Sequence, residues 1–303
     1  MIIDTHCDTL NEINEQNCLL RKNSLNIDLE RASAYDGYAQ FFAAWIENDV
    51  NAVEKFNTLA DIFDCEIEKN NDIVQKCISY SDMTNALKNN KIAAFLSLEG
   101  AYFVKSQKDI DYIYSRGVRC TTLTWNPDSA LAGGVDSDNG ITALGRELIP
   151  CFENKGILID VSHLNEKSFW DIAEIAEKPF IASHSCSKAI CSHKRNLTDE
   201  QFLKICNIGG CVGVNFYTKF LSDSENASVS TIIKHIKHFR KIGSIDCIGL
   251  GSDFDGVDLL PDGIVGIESM SNIINELEKE HFTSSEIEKI TFKNYERVLK
   301  EIL

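Results

Sequence analysis

Short apolar runs alternate with longer amphipathic segments along almost the whole chain, and this alternation restricts the possible folds more than any other feature. The runs have the length and composition of buried strands. They cover residues 2–8, 39–46, 92–100, 118–125, 157–163, 179–184, 211–216 and 247–253. Eight such strands, nearly all separated by helical segments, predict an α/β fold, a (β/α)8 barrel. We expect residues 1–303 to form one domain of this kind, with helices at its C-terminal end.

The segments between the strands are less regular near the beginning of the chain. Residues 9–38 are polar and are expected to form a long surface loop with a short helix near 29–34. Residues 51–78 place apolar side chains at helical intervals, which predicts one long amphipathic helix. Further helices are predicted at 83–89, 110–115, 142–154, 166–177, from 198 onward, 230–242, 271–279 and 284–303.

Several predicted strands end in side chains that can bind metals. These residues are His6 and Asp8 on the first strand, Glu99 on the third, His163 on the fifth, His184 on the sixth and Asp253 on the eighth. The active site of a (β/α)8 barrel lies at the C-terminal ends of its strands, so these groups should converge. Imidazole and carboxylate together suit a divalent ion such as zinc. The remaining histidines are expected at the surface or in supporting positions; they are His193, His235, His238 and His281.

Composition excludes several classes of partner and location. The formal net charge of −16 disfavours nucleic acid and anionic membranes, which both require a basic surface. The eleven cysteines are odd in number and include no Cys-x-x-Cys pair, which favours reduced thiols in the cytoplasm. No run reaches the roughly 18 apolar residues of a membrane span. A cleaved targeting segment is also not expected, because cleavage would remove part of the candidate site around His6.

The strand-end motifs resemble those of the renal (membrane) dipeptidase family, zinc peptidases with a TIM barrel of the amidohydrolase type. The resemblance covers almost the whole chain in the family's order, and the chain looks like a microbial, unanchored member. The matching stretches are Asp4-Thr5-His6-Cys7-Asp8, Leu98-Glu99-Gly100, Gly117-Val118-Arg119 with Leu123-Thr124, Ile159-Asp160-Val161-Ser162-His163, Ser183-His184-Ser185, Arg195-Asn196, Val214-Asn215-Phe216-Tyr217 and Gly251-Ser252-Asp253-Phe254-Asp255-Gly256.

The resemblance implies a site with two zinc ions. His6 and Asp8 would bind one ion, and His163 and His184 the other. Glu99 would bridge the two and so take part in catalysis. Two cations about 3.5–4 Å apart can hold a shared hydroxide and polarise the scissile carbonyl.

The same resemblance implies how a dipeptide is bound and cleaved. Arg195 would hold the C-terminal carboxylate of the substrate, a task suited to a planar bidentate donor. Tyr217 would contact the substrate, and Asp253 would transfer a proton from the attacking water to the departing amine. The family further suggests a homodimer.

The chain departs from the family pattern at the end of the fourth predicted strand. Well-known members have a substrate-contacting histidine there, and this chain has Trp125. Trp125 either forms a wall of the pocket or donates its indole N–H to the substrate, and the sequence leaves both possibilities open.

Two other classes of function remain open. One is another hydrolase of the same barrel type, such as a deaminase or lactonase, although Arg195 favours a substrate with a free carboxylate. The other is a metal-binding protein with low activity because of Trp125. Turnover of simple dipeptides would separate the three.

Overall fold

The strands of the chain form one parallel sheet that curls into a barrel. The computed structural model describes residues 1–48, 50–224 and 226–303. The strands are β1 (Ile2–Cys7), β2 (Tyr38–Trp45), β3 (Val74–Lys76), β4 (Ile92–Glu99), β5 (Val118–Thr122), β6 (Leu158–Asp160), β7 (Val212–Val214) and β8 (Ile248–Leu250). All the ladders between them are parallel. Their order is β6-β5-β4-β2-β1-β8-β7, so strands from both ends of the chain lie side by side.

The gap between β6 and β7 is closed by the stretch predicted as the sixth strand. That stretch forms no continuous ladder, but Ile181 bridges Asp160 of β6 and Ala182 bridges Val212 of β7. The ring therefore has eight positions, which confirms the predicted (β/α)8 barrel. β3 is an additional strand that pairs only with the first half of β4.

Helices occupy most of the connections. They are α1 (Thr9–Gln16), α2 (Leu29–Ala32), α3 (Ala52–Lys69), α4 (Tyr80–Lys88), α5 (Gln107–Ser115), α6 (Ala143–Lys155), α7 (Glu166–Ile175), α8 (Asp199–Asn207), α9 (Thr218–Leu221), α10 (Val229–Ile242), α11 (Met270–Lys279), α12 (Ser284–Glu288) and α13 (Asn294–Ile302). A π-helical turn, Lys289–Lys293, joins the last two. In the described parts of the chain, no helix combines the length and apolarity needed to cross a bilayer.

Two predictions for the connections were wrong. The long helix expected over 51–78 ends at Lys69, because the polar run from Asn70 to Asp72 interrupts it and the next apolar residues form β3. Residues 9–16 form α1 rather than a loop. Only Leu10 and Ile13 of this helix are buried apolar residues, too few to give a clear helical pattern.

The lower end of the barrel is filled with apolar side chains. Phe41 and Phe95 stack there with ring centroids 4.7 Å apart. Tyr295 of α13 packs against the same interior cluster and is buried. Because apolar side chains fill this end of the barrel, a binding site can form only at the other end, where the C-terminal ends of the strands lie.

Candidate metal centre

Glu99 lies between the histidines predicted to bind the two ions. One carboxylate oxygen, Oε2, is 3.2 Å from Nε2 of His6. The other, Oε1, is 2.7 Å from Nε2 of His163 and 3.9 Å from Nε2 of His184. All four side chains are buried. The end of β4 thus places one carboxylate with an oxygen toward each half of the centre.

Asp8 and Asp253 complete the half of the centre around His6. Nε2 of His6 is 3.4 Å from Oδ2 of Asp8 and 3.9 Å from Oδ1 of Asp253. Within each of two groups of residues, the possible ligand atoms all lie within 4.8 Å of one another. One group is His6, Glu99 and His184, and the other is His6, Asp8 and Asp253. Nε2 of His6 and Oδ1 of Asp8 are buried and have no hydrogen-bond partner in the described chain. Burying polar atoms without a partner costs free energy, and a bound cation would serve as the partner of both atoms.

The buried charges of this half shift the pKa values of its members. Burial would lower the pKa of His6, but the carboxylates of Glu99 and Asp8 raise it well above 6.5. Burial, followed by repulsion from Glu99, raises the pKa of Asp8 to about 7. Burial would raise the pKa of Glu99, yet attraction to His6 keeps it well below 4.5. This half of the centre therefore holds more negative than positive charge, and a bound metal ion would compensate the excess negative charge.

Asp160 fixes Ser162 and Ser183, the residues that directly precede the two histidines of the other half. Its Oδ1 accepts hydrogen bonds from the backbone N–H groups of Ser162 and Ser183, each over 2.9 Å. Its Oδ2 accepts the hydroxyl proton of Ser183. Nδ1 of His184 lies 2.7 Å from that hydroxyl oxygen, so Nδ1 carries the proton and donates it. Nε2 of His184 is then unprotonated and carries a lone pair, and this is the form in which histidine binds metals.

His163 has its own partner, Asn126. Nδ1 of His163 lies 3.0 Å from Oδ1 of Asn126, which accepts the Nδ1 proton and leaves Nε2 free for a metal. Both ring nitrogens that face the centre, on His163 and His184, lie 2.9 Å from each other. Burial, and then Arg195, lower the pKa of His163 to about 4, so its ring is neutral at pH 7. The sequence did not identify Asn126 as a site residue.

Arg195 lies on the loop after the closing stretch of the barrel and points into the centre. Its side chain is buried, and Nη2 is 2.9 Å from Nε2 of His184. Nη1 is buried and has no hydrogen-bond partner in the described chain. Burial lowers the pKa of Arg195 to about 10, so the guanidinium remains charged at pH 7. An unpartnered, charged N–H of this kind is suited to an anionic group of a ligand.

Asp253 is held by Asn215, which donates from Nδ2 to Oδ2 over 2.8 Å. Its backbone has a positive φ of 62°, which turns the chain at the end of β8. Burial raises the pKa of Asp253, and the negative charge of Glu99 adds to this effect. Residue 256 is a glycine that lies close to two carboxylates, because a Cβ there would lie 2.7 Å from Oδ1 of Asp253 and 2.2 Å from Oδ2 of Asp8.

A cavity of about 470 Å³ opens above these residues. Its lining differs from side to side. Carboxylates of α1 and of the turns after β1 and β8 form one side, and cationic residues of α9 and of the loop after the closing stretch form another. Two aromatic residues, Trp45 and Trp125, line a third side, and Tyr217 also contacts the cavity. Sequence reasoning missed Trp45, which is the next-to-last residue of the second predicted strand and the last residue of β2.

Comparison with known proteins gives a consistent result. The model of the membrane dipeptidase family, peptidase family M19, matches residues 1–303. An uncharacterized protein from the pqqA 5′ region of Klebsiella pneumoniae is 36% identical over 239 residues, which are 75% of this chain and 88% of that protein. An uncharacterized dipeptidase of Schizosaccharomyces pombe is 31% identical over 288 residues, which are 86% of this chain and 68% of that protein.

Solved structures share the fold. A metallopeptidase described as a dipeptidase of family M19 superposes with a TM-score of 0.92 at 23% identity, covering 99% of this chain and 98% of its own. A metallopeptidase of Rhodobacter sphaeroides, solved with a phosphinate mimic of the dipeptide L-Ala-D-Ala, superposes with a TM-score of 0.91 at 22% identity, covering 100% and 99%. With the full-length family match, these findings establish that the chain belongs to the membrane dipeptidase family, peptidase family M19, and is a hydrolase of that family.

Proposed function

We propose that the protein is a zinc-dependent dipeptidase that hydrolyses the single peptide bond of a dipeptide. The observation that supports this most directly is the position of Arg195. Its unpartnered Nη1 lies in the same buried space as the candidate metal ligands, and Nη2 is 2.9 Å from His184. A carboxylate bound there would place the neighbouring peptide bond within reach of the metal centre.

The buried charges around the centre support two divalent ions. Five buried carboxylates lie at or next to it, and the buried cation Arg195 lies 2.9 Å from His184; the carboxylates are Asp4, Asp8, Glu99, Asp160 and Asp253. If all five are ionised and the histidines are neutral, as they are when they bind a metal, Arg195 leaves four negative charges uncompensated, which equals the charge of two divalent cations. Imidazole and carboxylate ligands at these positions suit zinc.

The division of the cavity lining supports a zwitterionic substrate. Arg195 lies on the cationic side, together with Lys194 and Lys219. Glu12 and Asp8 lie on the acidic side, where α1 follows β1. A free dipeptide carries an ammonium group at one end and a carboxylate at the other, so its two charges match the two sides of the cavity.

The residues of the chain provide the remaining functions of catalysis. When bound, two zinc ions supply Lewis-acid polarisation and lower the pKa of water toward neutrality. Asp253 faces the centre through Oδ1, and its raised pKa brings it closer to neutrality, which suits a group that accepts a proton and returns it. Asn215 donates to the other oxygen of Asp253, Oδ2, and so keeps Oδ1 as the oxygen that exchanges the proton with the centre. Arg195 fixes the substrate by its carboxylate and limits the chain beyond the scissile bond to one residue.

The experiment is a substrate panel with the purified, zinc-loaded protein. We expect turnover of simple dipeptides and poor turnover of tripeptides and N-acetylated dipeptides, because one substrate end is fixed by Arg195. Lactones and aminated nucleobases serve as substrates for the two alternative hydrolase classes. Efficient stepwise digestion of a longer peptide, or preference for a lactone or nucleobase, would contradict the proposal. A protein that binds zinc but turns over none of these compounds would support the low-activity alternative.

We also propose that the protein works in the cytoplasm. Most of its eleven cysteines are buried thiols, among them Cys120 and Cys211 within the barrel interior. Buried thiols that pack as small apolar side chains suit a reducing compartment.

A further inference from the structure

We propose that Trp45 and Trp125 form an aromatic wall that selects dipeptides whose first residue has a large apolar side chain. This inference rests on the proposed function and adds a substrate preference to it. The two indole rings meet edge to face with centroids 5.2 Å apart. Both line the cavity that contains the candidate metal ligands. The ring centroid of Trp125 is 6.3 Å from that of His163, so the wall reaches the metal centre.

The order of strands in the barrel indicates which residue of a bound dipeptide would contact this wall. Trp45 is the last residue of β2, and Arg195 follows the stretch around Ile181 and Ala182 that closes the barrel. These two positions are four places apart around the eight-membered ring in either direction, so they lie opposite each other. A dipeptide held by its carboxylate at Arg195 therefore extends across the metal centre toward Trp45. The side chain that arrives there belongs to the first residue.

Trp45 is fixed in place before any substrate binds. Its backbone N–H donates to Oδ1 of Asn11 over 3.1 Å, and its carbonyl accepts from Nδ2 of the same residue over 3.1 Å. The ammonium group of Lys55 lies 4.2 Å from the ring centroid on one face. Trp125 packs edge-on at 5.2 Å. A wall held on three sides loses little conformational entropy when a ligand packs on it.

The part of Trp45 that a ligand can touch is apolar. Its Nε1 atom is buried and has no hydrogen-bond partner in the described chain, so the partly exposed surface of this side chain consists of ring carbons. An apolar side chain that covers these carbons removes apolar surface from water on both partners, which stabilises the complex. Alanine or glycine at the first position would leave most of the wall uncovered.

The test compares selectivity for the first residue in three proteins. We expect the wild type to cleave Leu-Gly with a kcat/KM roughly 10-fold or more above that for Ala-Gly, the scale of discrimination by an apolar pocket. Trp45→Ala should reduce this ratio toward one. Trp170→Ala is the matched control, because Trp170 is 39% exposed on α7 and does not line the cavity. It should keep the wild-type ratio.

A second pair of substrates locates the effect. The ratio for Gly-Leu over Gly-Ala reports on the second residue and should not change in Trp45→Ala. If Trp45→Ala fails to fold, as judged by its thermal unfolding, Trp45→Gln keeps much of the volume, replaces the apolar surface and should lower the first-residue ratio as well. A folded Trp45 variant with the wild-type first-residue ratio would overturn the wall but leave the dipeptidase proposal intact. A wild type that cleaves none of the four dipeptides would overturn both.

Discussion

Asn215 donates a hydrogen bond to Oδ2 of Asp253 over 2.8 Å, while Oδ1 of the same carboxylate faces His6 at 3.9 Å. One oxygen is thus fixed by the protein and the other is directed at the metal centre. Oδ1 is also close enough to His6 and Asp8 to act as a metal ligand. Proton transfer and metal binding are therefore both open to Asp253, and the two roles predict different results for one substitution.

We predict that Asp253→Asn retains its metal and loses about 100-fold or more in kcat, the scale of general acid–base catalysis. Asparagine keeps the size of the side chain and one oxygen that can accept from Asn215, but it cannot take up and return the proton. Metal content and steady-state kinetics on one dipeptide check both parts. Loss of metal from this variant would assign Asp253 to the ligand set instead.

Glu99→Ala should lose both metal and activity. Glu99 lies 3.2 Å from His6 through one oxygen and 2.7 Å from His163 through the other, so its removal affects both halves of the centre. Metal analysis after dialysis measures the effect. Glu147→Ala is a suitable control, because Glu147 is an exposed carboxylate on α6. Unchanged metal stoichiometry in Glu99→Ala would contradict a bridging role.

Trp125→Phe distinguishes a wall from a hydrogen-bond donor. Phenylalanine keeps an aromatic ring beside Trp45 but has no N–H. If Trp125 is a wall, as we expect, kcat changes little and the effect falls on KM or on side-chain preference. A loss of roughly 10²–10³ in kcat at constant KM and metal content would instead assign the indole N–H to the developing oxyanion.

His235 should make stability depend on pH. It is buried on α10, accepts from the N–H of Ser187 at Nδ1 and donates from Nε2 to the carbonyl of Leu221, each over 3.0 Å. Burial lowers its pKa from 6.5 to about 4. Between these values the unfolded state binds the proton and the folded state does not. The stabilisation is therefore complete above pH 6.5 and is lost progressively as the pH falls toward 4.

At pH 5 this group alone should have reduced the free energy of unfolding by about 2 kcal/mol relative to its value at pH 7. Urea unfolding at the two pH values measures the difference. In His235→Gln the decrease should be smaller than in the wild type by that amount. His281→Gln is the control, because His281 is exposed, and it should keep the wild-type dependence. Equal decreases in all three proteins would contradict the assignment.

The sequence allowed the barrel and its strand-end side chains to be predicted because both follow short-range rules. Apolar runs identify strands, and parallel strands of a barrel place their C-terminal ends together. The structure brings together Glu99, His163 and His184 as that rule requires. The helix predicted from 198 onward is also present, and a capping box between Thr198 and Gln201, only three positions apart, begins it.

Residues whose role depends on contacts distant in sequence could not be predicted in this way. Asn11 holds the backbone of Trp45, 34 positions away, and nothing near either residue indicates the pairing. Asn126 orients His163 across 37 positions. His235 was expected at the surface or in a supporting position but is fully buried. The helical pattern of the sequence could have indicated this burial, since Ile232 and Ile236 lie on the same face of α10 as His235 and are buried as well.

The closure of the barrel at Ile181 and Ala182 links the metal centre to local opening of the fold. This stretch is joined to each neighbour by a single bridge and a few backbone hydrogen bonds rather than by a ladder, and His184 lies two residues after Ala182. A metal ion that binds His184 together with Glu99 of β4 would connect this weakly paired stretch to one of the longest strands of the ring. Ion occupancy and closure of the ring are then thermodynamically linked. Backbone amides near Ile181 should accordingly exchange with deuterium faster after chelation, before the rest of the barrel does.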